Sequence, residues 1–166
     1  MNSAGGEAVG PSGFRDTIAQ QRATISELQT PVIEVWEGIL ALPIVGSVDT
    51  ARAQEMNEAL LERIVETGSE IVLLDITGVP VVDTAVARHL LETVSAARLL
   101  GADVLIVGLS SRTAMTLVQL GIDLSHVTTR ATLAKGLALA FDRLGLAVVP
   151  QDGGIRHLPN ADRTLP

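Results

Sequence analysis

The chain has 166 residues, enough for one domain with a hydrophobic core and short extensions. Apolar residues make up 47% of the sequence and charged residues 19%, which is typical of a globular protein and excludes a wholly disordered chain. Nineteen acidic residues oppose twelve basic ones, and the formal charge of -7 disfavours nucleic acid and anionic membranes as partners, because both attract basic surfaces.

Cysteine content and hydropathy exclude further classes of function. The chain has no cysteine, which excludes disulfides, thiolate catalysis and cysteine-ligated zinc. The first residues, MNSAGGEAVGPSGF, lack the basic start and apolar run of a secretory signal. No apolar run reaches the roughly 18 residues that a membrane span needs. We therefore expect a soluble, cytoplasmic protein.

The N-terminal part divides into two segments. Residues 1–13 are small and polar, which predicts a disordered tail. Residues 14–30 carry a helical stripe of apolar side chains and predict a linker helix, which ends before Pro31. The stripe consists of Phe14, Ile18, Ile25 and Leu28, and Gln21 interrupts it.

An alternation of strands and helices follows. Residues 32–36 and 38–46 predict two strands of a hairpin, with Glu37 and Gly38 in the turn. Ser47 or Asp49 is expected to cap a helix that Gly68 ends. The runs EIVLLDI and ADVLIVG are continuously apolar, as in central strands that are covered on both faces, and residues 84–100 between them predict a helix.

The remaining pattern completes an α/β domain. Ser110 and Ser111 start a third helix, a short strand lies near residues 127–129, and a last helix follows. We expect one domain over residues 31–144, with a mixed β-sheet and helices packed on it. Residues 145–166 are rich in glycine and proline and predict a flexible C-terminal tail.

The residues available for catalysis are few. His89 follows Thr84 by five residues, and a threonine–histidine pair can in principle activate a nucleophile. A partly exposed helix histidine is the favoured interpretation, since no third orienting group is evident. His126 and His157 lack ligand-like spacing, so we expect no metal and no cofactor. The turn GLSSRT opens a helix whose N–H groups could hold an anion, but a helix start capped by serine is the favoured interpretation, because such caps are ubiquitous.

Asp83 and Thr84 stand out at the junction of a buried strand and a helix, in the stretch DITGVPVVDTAVARHLL. Either side chain can cap the helix, but a cap does not require both. The threonine is presented on a rigid scaffold, where a phosphate would add about −1.5 to −2 charge. Thr84 is therefore a candidate modification site.

Three stretches together resemble a STAS domain, and in particular the RsbR-type co-antagonists of bacterial stressosomes. They are ISELQTPVIEVWEGILALPIVGSVDTARA, DITGVPVVDT and VARHLLETVSAARLLGADVLIVGLSSRTAMTLVQLGIDLSHVTTRATLAKGL. The resemblance covers roughly residues 25–144 and implies the anti-sigma-factor-antagonist fold, with a small mixed sheet and helices on one side.

The resemblance also implies function and sites. A partner serine/threonine switch kinase would phosphorylate Thr84, next to Asp83, and secondarily Thr116, with Thr113 as a weaker candidate. The family is not enzymatic and assembles with paralogous STAS proteins, so we expect a homodimer or larger assembly. Typical members carry a sensor domain in front of the STAS domain. Here only residues 1–13 and the predicted helix over residues 14–30, which contains ISEL, stand in that place, so we expect no complete sensor domain in this chain.

Three hypotheses of function remain. The first is a regulatory STAS protein of a stressosome-type stress-response pathway, controlled by phosphorylation. The second is a stand-alone anti-sigma-factor antagonist that binds an anti-sigma kinase directly. The third is a STAS domain that binds a small ligand or nucleotide at the GLSSRT helix start.

Overall fold

The computed structural model describes residues 31–149 and 155–157. Within these ranges the chain forms strands and helices in alternation. The strands are β1 (Ile33–Trp36), β2 (Ile39–Val45), β3 (Ile71–Gly78), β4 (Asp103–Val107), β5 (Thr128–Arg130), β6 (Leu146–Val148) and β7 (Ile155–His157). The helices are α1 (Thr50–Thr67), α2 (Thr84–Leu99), α3 (Ser111–Gln119) and α4 (Leu133–Arg143).

The first two strands form the predicted hairpin. β1 and β2 are antiparallel, and Ile33 lies opposite Ala41. The turn contains Gly38 at φ 83°, a left-handed conformation that glycine adopts without steric strain. The hairpin prediction, including the turn at Glu37 and Gly38, is confirmed.

β1 to β5 form one sheet in chain order, and β2 to β5 are mutually parallel. The mixed sheet predicted from the alternating pattern is therefore confirmed. β3 and β4 lie inside this sheet, and their apolar residues are buried on both faces. Every parallel strand leads into a helix, so α1, α2, α3 and α4 all begin at the carboxyl edge of the sheet.

The described helices cover both faces of the sheet. α1, α2 and α3 pack on the face that contains Leu74 and Ile106. α4 packs on the opposite face, where Phe141 joins the core around Leu73 and Leu105. The implied arrangement of helices on one side is thus wrong for α4. The physical reason lies in the continuous apolar runs of β3 and β4, since each leaves a second face that must be covered.

Each described helix starts with a side-chain cap. Asp49, rather than Ser47, caps α1, and its carboxylate accepts from the backbone N–H of Arg52 at 2.8 Å. The prediction that Gly68 ends α1 is confirmed, since Gly68 has φ 63° and donates its N–H to the carbonyl of Ile64. The four caps are Asp49, Asp83, Ser110 and Thr132.

The C-terminal segment contains paired strands. β6 and β7 are antiparallel, with Ala147 opposite Arg156, and both lie within the predicted tail. Leu146 packs against the core on the α4 face, so contact with the domain continues past the predicted boundary at residue 144. The predicted tail over residues 1–13 and the linker helix over residues 14–30 lie outside the described residues. None of the described helices is long and apolar enough to cross a membrane.

Substitution of Gly108 by alanine tests the close packing of the turn after β4. Gly108 has φ 83°, and an added Cβ would overlap Thr77 Oγ1 and lie 2.6 Å from the backbone nitrogen of Thr77. Strain and overlap together predict a loss of about 2 to 5 kcal/mol in the free energy of unfolding. Gly101 is the matched control, because it has φ 85° but an added Cβ there meets open space.

Gly101→Ala should therefore lose only about 1 to 2 kcal/mol. Urea denaturation of both variants measures the difference. Equal losses for Gly108→Ala and Gly101→Ala would contradict the close packing.

Candidate functional site

The loop between β3 and α2 holds Asp83 and Thr84 at the carboxyl edge of the sheet. Two of its valines, Val79 and Val82, are buried in the core, at 8% and 5% exposure, while Pro80 and Val81 are exposed. The N–H of Val79 also donates to the carbonyl of Ile76 at 3.0 Å. The alternation of buried and exposed residues anchors the loop on the core and fixes where the next helix begins.

Asp83 caps α2. Its backbone is extended, with φ −97° and ψ −176°, and its Oδ1 accepts from the N–H of Val86 at 2.8 Å. Its carbonyl accepts from the N–H of Ala87 at 2.9 Å, which closes the first helical turn. The carboxylate thus satisfies one of the N–H groups that a helix start leaves without an intrahelical partner.

Thr84 consequently does not cap the helix. It is the first residue of α2 and is exposed. Its hydroxyl makes no hydrogen bond with the residues that the structure describes. Asp83 therefore caps the helix, and the Thr84 hydroxyl remains accessible at a fixed position.

Thr116 and Thr113 are held differently. Thr116 is half-buried on α3, and its Oγ1 donates to the carbonyl of Arg112 at 3.0 Å. Thr113 is also half-buried, and its Oγ1 lies 2.9 Å from the Oγ of Ser110. A reaction at either hydroxyl requires the side chain to leave this hydrogen bond, unlike a reaction at Thr84.

A small cleft brings the two predicted regions together. It has a volume of about 160 Å³ and separates the β3–α2 loop from α3. The lining residues are Pro80, Val81, Val82, Arg112, Thr113 and Thr116. The loop that presents Thr84 and the helix that carries Thr116 therefore share one surface.

The last residues of β3, just before the β3–α2 loop, contain an Asx turn, in which an aspartate side chain bonds to the residue two positions later. The sequence patterns did not single it out. Asp75 Oδ1 accepts from both the N–H and the Oγ1 of Thr77, at 2.9 and 2.6 Å. Gly108 packs against this turn, since its position leaves no room for a Cβ beside Thr77 and Asp75. The spacing of an aspartate two residues before a threonine at a strand end is the available signal for such a turn.

The GLSSRT turn forms a capped helix start. Ser110 Oγ accepts from the N–H of Thr113 at 3.0 Å, so the hydroxyl occupies one N–H group that an anion would use. This geometry agrees with the serine-cap interpretation of the turn.

His89 is not paired with Thr84. Its Nε2 lies 3.5 Å from Thr50 Oγ1, and its Nδ1 lies 3.4 Å from Glu92 Oε2. The ring therefore bridges the start of α1 and the next turn of α2, and the threonine–histidine nucleophile considered from the sequence is not formed. Within the described ranges, no three histidine, aspartate or glutamate side chains converge in a way that could hold a metal ion.

Residues 30–136 match the STAS domain family. The RsbT co-antagonist protein RsbRA of Bacillus subtilis is 45% identical over 136 residues, which are 82% of this chain and 50% of that protein. The RsbT co-antagonist protein RsbRD of the same organism is 41% identical over 118 residues, which are 71% of this chain and 42% of that protein. The chain thus spans about half the length of these curated relatives or less.

Solved structures agree with the sequence comparison. A serine-to-glutamate variant of RsbS from Moorella thermoacetica has a TM-score of 0.61 and 29% identity, covering 69% of this chain and 97% of its own. A chain from a structure of the stressosome has a TM-score of 0.57 and 28% identity, covering 68% of this chain and 97% of its own. The predicted STAS fold is confirmed.

Two substitutions at Asp83 separate its capping role from its charge. Asp83→Ala should lower the free energy of unfolding by about 0.5 to 2 kcal/mol, because the cap on Val86 is lost. Asp83→Asn should leave stability nearly unchanged, because asparagine caps about as well as aspartate. Thermal or urea unfolding of both variants measures this, and a large loss in Asp83→Asn would show that charge, rather than capping, is what α2 requires.

Proposed function

The chain belongs to the STAS domain family, and on that premise we propose that it is a non-enzymatic regulatory protein of a stressosome-type partner-switching pathway. A serine/threonine switch kinase controls it by phosphorylating Thr84. The observation that carries this proposal is the exposed Thr84 hydroxyl, which has no hydrogen bond among the described residues while Asp83 caps the helix.

The similar proteins support this assignment of pathway. The two relatives described above are RsbT co-antagonists, and the similar solved chains are RsbS and a stressosome component. In the Moorella RsbS, glutamate replaces serine, which exchanges a hydroxyl for a negative charge. By this likeness, the partners of the chain are the switch kinase and paralogous STAS proteins, in a homodimer or larger assembly.

Phosphorylation at Thr84 acts by local charge. A phosphate at an exposed helix N-terminus gains about 0.3 to 1 kcal/mol from the helix dipole. The carboxylate of Asp83 and the formal charge of -7 repel the phosphate. The gain and the repulsion nearly cancel, so the domain keeps its fold. At a docked interface, an unpaired buried charge costs about 2 to 5 kcal/mol or more. The phosphate therefore lowers the affinity for the partner and leaves the fold unchanged.

Thr116 is the proposed secondary site. Its hydroxyl donates to the carbonyl of Arg112, and the side chain is half-buried beside the cleft. A kinase must first break this hydrogen bond and rotate the side chain, so Thr116 reacts more slowly than Thr84. Thr113 is a weaker candidate for the same reason.

The size of the cleft disfavours nucleotide binding at the GLSSRT helix start. Pockets for small molecules usually measure about 300 to 1,000 Å³. The cleft at this helix start has only about 160 Å³. Regulation through a docked protein is therefore favoured over regulation through a bound nucleotide.

Mapping of the phosphate tests the principal site. After incubation with the switch kinase and ATP, mass spectrometry should find most of the phosphate on Thr84, and Thr84→Ala should lose that labelling. Ser111→Ala is the matched control, because Ser111 is likewise an exposed hydroxyl residue at the first position of a helix. Undiminished labelling of Thr84→Ala would overturn the assignment.

Partner affinity tests the mechanism. The phosphorylated chain should bind its switch kinase, in the absence of ATP, about 30-fold or more weakly than the unmodified chain, since 2 kcal/mol is about 30-fold. Its melting temperature should change by no more than about 5 °C. Thr84→Glu should show the same trend with a smaller effect, because it carries about half the charge of phosphate.

Ser95→Glu controls for the added charge, because Ser95 is exposed on the same helix, three turns from Thr84. It should leave the affinity unchanged. Loss of helical circular dichroism on phosphorylation, or an affinity equal to that of the unmodified chain, would contradict the mechanism.

A further inference from the structure

Arginines in the described helices fall into two groups. Arg63 pairs with Glu34 and Glu66, and Arg98 and Arg143 both contact Asp103. The guanidinium of Arg52 donates to the carbonyl of Ser47. These arginines are all held by acceptors within the domain.

Arg88 and Arg112 form the second group. Both are exposed, and neither guanidinium has a hydrogen bond or ion pair with the residues that the structure describes. In a chain with nineteen acidic and twelve basic residues, a helix arginine without an acidic partner is unexpected. Each of the two lies four residues from a proposed phosphorylation site, Arg88 after Thr84 and Arg112 before Thr116.

Residues four apart on a helix are neighbours on its surface. Thr84 and Arg88 are both exposed and both belong to α2, so a phosphate on Thr84 lies within reach of the Arg88 guanidinium. The order is also favourable, because the negative group is at the N-terminal side and the positive group follows it, in agreement with the helix dipole. Arginine suits this role, since its planar group can donate two parallel hydrogen bonds to phosphate oxygens.

The two carboxylates of α2 and its cap are already engaged. The Asp83 carboxylate accepts from the N–H of Val86. Glu92, one turn after Arg88, lies beside the ring of His89. Neither carboxylate pairs with Arg88 in the described structure, so the guanidinium is available to a phosphate.

We propose that Arg88 is the positioning residue that holds the phosphate of Thr84 on the surface of α2. The proposal rests on the proposed function, in which Thr84 is phosphorylated. It adds that the domain itself neutralises part of the new charge and fixes the phosphate in one orientation towards the partner. At Thr116 the order is reversed, with Arg112 on the N-terminal side. Thr116 also lies in the last turn of α3, where the helix dipole opposes a phosphate.

The test bypasses the kinase. Phosphothreonine is introduced at position 84 of the full chain during translation, by suppression of an amber codon. The second pKa of the phosphate, ordinarily about 6, is then followed by phosphorus NMR titration. Failure of the kinase to label Thr84 would overturn the proposed function, while this titration reports on Arg88 alone.

The pKa of the phosphate should be lower by about 0.3 unit or more in the otherwise wild-type chain than in Arg88→Gln, because an adjacent cation favours the dianion. Arg88→Lys should give an intermediate value. Lys135→Gln is the control for the loss of one positive charge, because Lys135 is exposed on α4, on the opposite face of the sheet, and it should match the wild-type chain. An equal pKa in the wild-type chain and in Arg88→Gln, or an equal rise in Lys135→Gln, would overturn the proposal.

Melting temperatures test whether Arg88 has a merely structural role. Without phosphate, Arg88→Gln should melt like the wild-type chain, because Arg88 has no described partner to lose. With phosphate, Arg88→Gln should melt below the phosphorylated wild-type chain. An equal decrease in melting temperature with and without phosphate would show that Arg88 acts on the fold and would also overturn the proposal.

Discussion

The hydrogen bond from the N–H of Val86 to the carboxylate of Asp83 is the interaction on which the candidate site depends. A helix start leaves N–H groups without partners, and a nearby hydroxyl is a common acceptor for them. Because Asp83 fills this role, the hydroxyl of Thr84 is not needed by the fold. The Thr84 hydroxyl can therefore be modified without loss of the hydrogen bond that caps α2.

The scaffold beneath the loop makes this arrangement rigid. Val79 and Val82 are buried on either side of the exposed Pro80 and Val81. The Asp75–Thr77 turn and the close approach of Gly108 fix the end of β3, just before the loop begins. In the proposed function, stability and signalling thus use different residues of one short segment, so that a charge is added where a partner docks while the core remains packed.

Much of the fold was accessible from the sequence, because hydropathy periods of 2 and 3.6 residues and the glycine punctuation report directly on local structure. The β1–β2 hairpin, the central strands and the helix that begins at Thr84 were predicted in this way. The position of α4 on the second face was missed, since the resemblance implied helices on one side only. The continuous apolar run of β3 carried the correct information, because a strand buried on both faces needs two covers.

The division of roles at the site required the structure. Asp83 and Thr84 are both acceptable caps by residue type, and only the extended backbone of Asp83 and the contact to Val86 decide between them. The links from Asp75 to Thr77 and from Thr116 to Arg112 are short-range, but side-chain direction is not written in residue spacing. The absence of a described partner for Arg88 depends on the positions of every nearby carboxylate, which no sequence pattern specifies.

The most direct test of the central claim is amide hydrogen exchange on the Thr84-phosphorylated and unmodified chains, followed by mass spectrometry. If Asp83 keeps α2 capped, protection of β3, β4 and the body of α2 should be the same in both forms, with changes confined to the first turn of α2 and the adjoining loop. Loss of protection throughout α2 or in β3 would contradict the account, because the phosphate would then act by unfolding the domain.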